Sequence, residues 1–129
     1  MSVVVVDGAV CQPNISLLGR RRRQRIGGAM AVAAVVVLGV TVALGAGPVV
    51  RGATALLAMV ATVSVLQAQR VTCVARAREG MFEDDSLVMT PMAADDVARS
   101  RAVASGIIRD GVFVGVAWAI LAAGSTLVL

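Results

Sequence analysis

Histidine and tyrosine are absent from this 129-residue chain, and so is lysine: all 12 basic residues are arginine. Without histidine the commonest acid–base residue and the commonest metal ligand are both missing, which removes most familiar catalytic constellations. Phosphate-binding loops and nucleophile-elbow motifs are not present either. Aromatic residues make up only 2% of the chain, so the arginines lack the stacking platforms that nucleic-acid surfaces use. Charge is scarce as well. Nothing ionisable falls inside the three longest apolar stretches, and pumps, proton relays and ion-coupled transporters normally need such a group there. Neither an enzyme activity nor a cofactor is expected, and nucleic acid is not an expected partner.

What is present in excess is apolar surface. The chain has room for one domain, and its 58% apolar content is too high for an ordinary soluble one. Its mean hydropathy is +0.87. The net charge of +4 comes from arginines grouped at the edges of apolar runs, so topology explains them better than phosphate binding does. Arginine, alanine, valine and glycine are all favoured by high-GC coding, and the exclusion of lysine carries little chemical meaning.

Five arginines, Arg20 to Arg23 and Arg25, stand directly before an uncharged run from Ile26 to Gly47. That run of 22 residues would make a helix of about 33 Å, enough to cross a hydrocarbon core. Gly45, Gly47 and Pro48 then break the helix. A second run, Ala53–Ala68, becomes long enough when extended to residue 50, with Arg51 expected to snorkel to the outer interface. A third, Gly111 to Leu129, has 19 uncharged residues. The expected fold is all-α, with three transmembrane helices over about 26–47, 50–68 and 110–129. Residues 1–25 would form an inner N-terminal segment, and 69–109 an inner loop with helical extensions.

Arginine placement gives the orientation. Five precede the first span, one lies in the connection Gly47–Gly52 and six lie in Gln67–Asp110. Carboxylates hardly count in this rule, so the seven between Glu79 and Asp110 do not cancel it. The expected location is the cytoplasmic membrane, multi-pass, with the N-terminus inside and the C-terminus outside. Arg20, Arg21, Arg22, Arg23 and Arg25 would face lipid headgroups. A cleaved signal peptide is a poorer reading, because both the apolar core and its leader are too long. Lipidation at Cys11 fails because Val3–Val6 is too brief and no basic residue precedes it. The sequon Asn14-Ile15-Ser16 would lie on the inner side, where it is no glycosylation signal.

Within the inner loop, Gln67 to Glu79 is expected to continue the second helix as far as Gly80. Met81–Met89 reads as irregular and acidic, with Glu83, Asp84 and Asp85 solvated, since they lack the spacing and glycine of a calcium loop. Thr90-Pro91 reads as a helix cap and first-turn proline, followed by Asp95 and Asp96 within reach of Arg99. Small residues recur at four-residue spacing: Gly39, Ala43 and Gly47; Thr54, Ala58 and Thr62; Gly111, Gly115, Ala119 and Ala123. Such lines let helix backbones approach closely. They serve either packing within the bundle, which is favoured, or docking to a membrane partner or a second copy. Trp118 is too deep for an interfacial anchor and is expected to pack.

Cys11 and Cys73 are the residues with the most distinctive chemistry. Both would lie on the inner side, where thiols stay reduced. Arg70, Arg76 and Arg78 near Cys73 would make an exposed thiol more reactive. Three readings stand open: inert thiols, a redox-responsive pair, or a soft-metal site. The metal reading needs a dimer, because two thiolates leave a tetrahedral site incomplete. The block Cys11-Gln12-Pro13-Asn14-Ile15-Ser16, followed by Gly19 and the arginines, resembles the start of a family of small uncharacterised bacterial membrane proteins. The block Leu66-Gln67-Ala68, Thr72-Cys73-Val74, with Ala77 and Gly80, is similar to that family's segment after its second span. The resemblance covers roughly residues 11–30 and 64–80 and implies a bacterial membrane setting without a mechanism. The expected role is a non-enzymatic accessory or interaction subunit, with a thiol-based sensor or metal-binding protein as the alternative.

Reporter fusions test the orientation: a fusion after Arg51 should report the outer compartment and one after Thr90 the cytoplasm. Cytoplasmic signal at Arg51 would invert or remove the first crossing.

Overall fold

The computed structural model describes residues 4–6 and 9–11, as backbone only, and 13–128. A small antiparallel hairpin pairs β1 (Val4–Val6) with β2 (Ala9–Cys11), placing Val5 opposite Val10. The helical body follows: α1 (Leu17–Ala43), α2 (Pro48–Ala53), α3 (Ala55–Gln69), α4 (Val74–Glu79) and α5 (Ala94–Gly124), which passes into a 3-10 turn at Ser125–Leu127. A second hairpin, β3 (Met81–Glu83) with β4 (Met89–Pro91), sits between α4 and α5.

Three of these segments are long and apolar enough to cross a membrane: Leu17–Ala43, Pro48–Gln69 and Ala94–Leu127. Few of their residues are covered by the protein itself, with 11%, 28% and 22% of the most apolar stretches buried. Val32, Val35, Phe113, Ile120 and Leu121 are all more than 60% exposed. In water this would be apolar patch on a scale that monomeric soluble proteins do not carry. Lipid is the solvent that removes the cost.

The boundaries differ from expectation for local reasons. The arginine block lies inside α1, because Ser16 caps the helix one turn before Arg20. The helix ends at Ala43 instead of continuing to Gly47. Gly45 adopts a left-handed φ of 67°, and the Ala46 N–H returns to Thr41 O at 2.9 Å, closing a glycine-type C-terminal motif. Pro48 then opens α2 at the first helical turn. The second crossing is interrupted at Thr54, whose hydroxyl donates to Arg51 O at 2.6 Å. The third crossing is the membrane part of one continuous helix from Ala94.

α3 is the central helix. Gly27 of α1 meets Ala61 and Val65, while Gly111 and Gly115 of α5 meet Val63 and Met59. Residues two apart on a helix point about 200° from each other, so α1 and α5 use opposite faces of α3. A Cβ on Gly27 would come within 2.6 Å of Val65 Cγ2 and 3.1 Å of the Ala61 carbonyl oxygen; one on Gly111 would come within 2.4 Å of Val63 Cγ2. The α5 line of small residues therefore serves internal packing at its first two members, joined by buried Ala122 in place of Ala119 and Ala123. On α1 the close approach is at Gly27 and Ala34. The expected line of Gly39 and Gly47 meets open space.

Gly27→Ala should lower the thermal midpoint of the detergent-solubilised protein, since backbone atoms of α3 cannot yield as a side chain end can. Gly39→Ala should leave it unchanged. Equal effects at the two sites would remove Gly27 as the contact point.

Candidate functional site: the polar head of the bundle

Polar chemistry gathers at the arginine-rich end, here called the head. Its origin is the end of α3. Val71 adopts φ 49°, a left-handed conformation that costs a β-branched residue about 1–2 kcal/mol. The Thr72 N–H returns to Gln67 O at 3.1 Å, the same helix-ending motif that Gly45 forms on α1, built here without glycine. Something outside the segment must hold it, and that is Asn14.

Asn14 is fully buried and grips the break from the other side of the sequence. Its Nδ2 donates to Cys73 O at 3.1 Å, and the Cys73 N–H donates to Asn14 Oδ1 at 2.5 Å. Its own backbone N–H donates to Val71 O at 3.2 Å. The side-chain amide thus behaves as a second strand of backbone, filling both groups of one residue. Gln67, also buried, accepts the Val74 N–H on Oε1 at 3.1 Å and so caps α4.

The next residue pair ties in the second hairpin. Ser16 Oγ accepts the Gly19 N–H at 3.1 Å as the cap of α1, and donates its own proton to Glu83 Oε1 at 2.6 Å. Glu83 also forms an ion pair with Arg76. Asp85 Oδ1 accepts the Leu17 N–H at 3.3 Å. The first turn of α1 has no acidic residue of its own and is followed at once by arginines, the wrong sign for a helix N-terminus. Carboxylates of the hairpin supply the missing negative charge from 67 and 68 residues away.

This corrects the reading of the segment from residue 81 to 91 as an irregular acidic loop and helix cap. It is a hairpin, with Asp84 Oδ1 accepting the Ser86 and Val88 N–H groups, each at 2.9 Å, to make the turn. Thr90 and Pro91 are strand residues, and α5 starts at Ala94 without a side-chain cap. Helix α4 does end at Gly80, with φ 70°, but it is separated from α3 by the break at residues 70–73. Its last carbonyls, those of Ala77 and Arg78, accept from Arg101 of α5 at 3.4 and 2.8 Å.

Cys73 is 2% exposed, so it is not an open thiol. The arginine that reaches it comes from the block before α1: Arg23 Nη2 donates to Cys73 Sγ at 3.2 Å. Arg70 is engaged instead with Asp110 at 2.7 Å, and Arg76 with Glu83. The side chain of Cys11 lies outside the described residues, and so does Gln12. Among the described residues no group of three or more His, Cys, Asp or Glu side chains is placed to hold a metal. Of the remaining arginines in the block, Arg21, Arg22 and Arg25 are exposed and Arg20 is half-buried.

The opposite end carries a smaller network that sequence reasoning missed. Arg51 does not snorkel outward. It is 5% exposed, donates to Ala46 O at 2.8 Å and to Ser125 Oγ at 3.0 Å, and so staples the turn to the end of the third crossing. Trp118 Nε1 donates to Thr54 Oγ1 at 2.9 Å. Both are devices for satisfying polar groups where water is scarce.

The architecture is that of an all-α integral membrane protein with three transmembrane helices and a folded polar head. Comparison with protein-family models, with curated proteins and with solved structures finds no match.

Asn14→Ala should destabilise the head by about 1–3 kcal/mol, because it strands the buried N–H of Cys73, whereas the Cys73 carbonyl keeps the Ala77 N–H at 2.9 Å. Faster hydrogen exchange at residues 71–76, with the crossings unaffected, is the expected reading; unchanged exchange there would show that Asn14 does not hold the break.

Proposed function

We propose that this protein is a non-enzymatic accessory or interaction subunit of a bacterial cytoplasmic membrane, with the head on the cytoplasmic side and the chain crossing three times. The carrying observation is how the head distributes its side chains. Asn14, Ser16, Gln67, Arg76, Glu83 and Arg101 are all committed to backbone groups or to each other. That leaves a braced surface on which large apolar residues remain exposed: Leu17 at 63%, Leu18 at 63%, Leu87 at 56% and Val88 at 54%. Asp85 bonding to the Leu17 N–H brings the hairpin turn to the start of α1. Leu17 and Leu18 precede the apolar run of the first crossing by two helical turns or more and so stand clear of the hydrocarbon, with the hairpin turn beside them. A fixed apolar patch flanked by arginines suits a protein neighbour better than it suits water.

Arg20–Arg23 and Arg25 hold that end at the headgroups of the inner leaflet. The thiol-sensor alternative has the Arg23 guanidinium at Cys73 in its favour, and the burial of that sulfur against it.

A photo-crosslinking residue placed at Leu17 or Val88 in cells should capture a discrete protein neighbour, which should also co-purify in mild detergent. The same probe at Leu56, on the exposed face of α3, should capture none. Recovery of the protein alone, without adducts at either head position, would overturn the reading.

A further inference from the structure

Between the start of α1 and the β3–β4 hairpin lies a cleft of about 520 Å³ whose walls include Leu18, Arg22, Arg23, Ile26, Arg76, Glu83 and Leu87. Its charges do not balance. Arg76 is matched by Glu83, which leaves Arg22 and Arg23 without a carboxylate. Arg23 spends one nitrogen on Cys73 Sγ. Arg22 is exposed and makes no hydrogen bond or ion pair among the described residues. Three guanidiniums against one carboxylate leave an excess of two positive charges in one cleft. Guanidiniums in that arrangement offer forked N–H donors to the oxygens of a phosphate.

Depth decides which phosphate. Arg22 precedes Ile26 by one turn, about 6 Å along the helix axis. Ile26 opens the apolar run. The polar layer of a bilayer is about 5–8 Å thick on each side of its hydrocarbon, so Arg22 lies in that layer. Ile26 forms the wall of the cleft on the hydrocarbon side, and beyond it α1 leaves Val32, Val35 and Val36 exposed at 64%, 61% and 56%. A ligand with an anionic head and an apolar tail fits both parts; a soluble phosphate would use only the first.

We propose that this cleft seats the phosphate of an anionic glycerophospholipid between Arg22 and Arg23, with an acyl chain descending past Ile26 along α1. It takes the membrane placement of the head from the function proposed above, but not the protein neighbour, so failure to find a neighbour leaves it standing. Arg25 provides the internal control: it belongs to the same block, is also exposed, and does not line the cleft.

The test uses the full-length protein in neutral phosphatidylcholine nanodiscs, titrated with phosphatidylglycerol and read by the number of anionic lipids retained on native mass spectrometry after release. One tightly held phosphatidylglycerol is expected. Arg22→Gln should weaken its retention about tenfold, of the order of one charge-assisted contact, and Arg25→Gln by less than twofold. Because Arg22 has no partner among the described residues, its replacement should leave the melting temperature of the empty protein unchanged. Equal losses for Arg22→Gln and Arg25→Gln would reduce the effect to general surface charge and overturn the proposal. So would retention no greater than that of phosphatidylcholine. Displacement of the lipid by millimolar inorganic phosphate would reassign the cleft to a soluble anion, and displacement by an acidic peptide would reassign it to a protein ligand.

Discussion

The head depends on one side chain lying against one backbone. Where α3 stops, the chain turns through a left-handed valine, and the Cys73 N–H is left inside the protein without a helical partner, while its carbonyl accepts the Ala77 N–H at the start of α4. Asn14 supplies the missing acceptor and adds a second donor to the carbonyl. With Asn14 seated, Ser16 is in place to cap α1 and to receive Glu83, and Glu83 in turn holds Arg76. The hairpin, the start of the first crossing and α4 therefore share one set of hydrogen bonds. A buried polar network of this kind is rigid when complete, and no buried side-chain nitrogen or oxygen among the described residues lacks a partner.

The crossings are held by a different principle. Burial of apolar surface contributes little between helices in lipid, because the tails are as apolar as the side chains. What remains is close approach. Gly27, Gly111 and Gly115 bring α1 and α5 onto opposite faces of α3, and two polar contacts at the far end, from Arg51 and Trp118, fasten the second and third crossings. Asp110, at the head end of the third crossing, is held between Arg70 and Arg109. Each device satisfies a group that lipid would leave bare.

Much of this was legible in the residues. Apolar run lengths are set by bilayer thickness, so all three crossings could be read directly, and Gly45 and Gly80 announced helix ends that the structure has. The α5 line beginning at Gly111 and Gly115 was legible as a packing line, whereas the Gly39 line was not distinguishable from it: spacing is the same whether or not a neighbour arrives. Two blocks that drew attention, around Asn14-Ile15-Ser16 and around Thr72-Cys73, do meet in the structure, although their contact runs through Asn14 and leaves Cys73 as the residue held. The acidic segment was misread because only Asp84 is satisfied within it, while Glu83 and Asp85 reach beyond the hairpin. Their partners are the Ser16 hydroxyl, the Leu17 N–H and Arg76, and two of those lie more than sixty residues away.

The sequence by itself determined the solvent and the number of crossings, since both follow from the length and charge of contiguous runs. Tertiary structure alone decided what the polar residues are for. An arginine reads the same in the sequence whether it stands exposed like Arg22, reaches a buried sulfur like Arg23 or staples a turn like Arg51. Which of these occurs depends on the groups that folding brings within about 3 Å, and segments far apart in the chain supply them. The arginine block thus enters as a uniform run of charge and becomes, in the folded head, a set of residues with separate tasks.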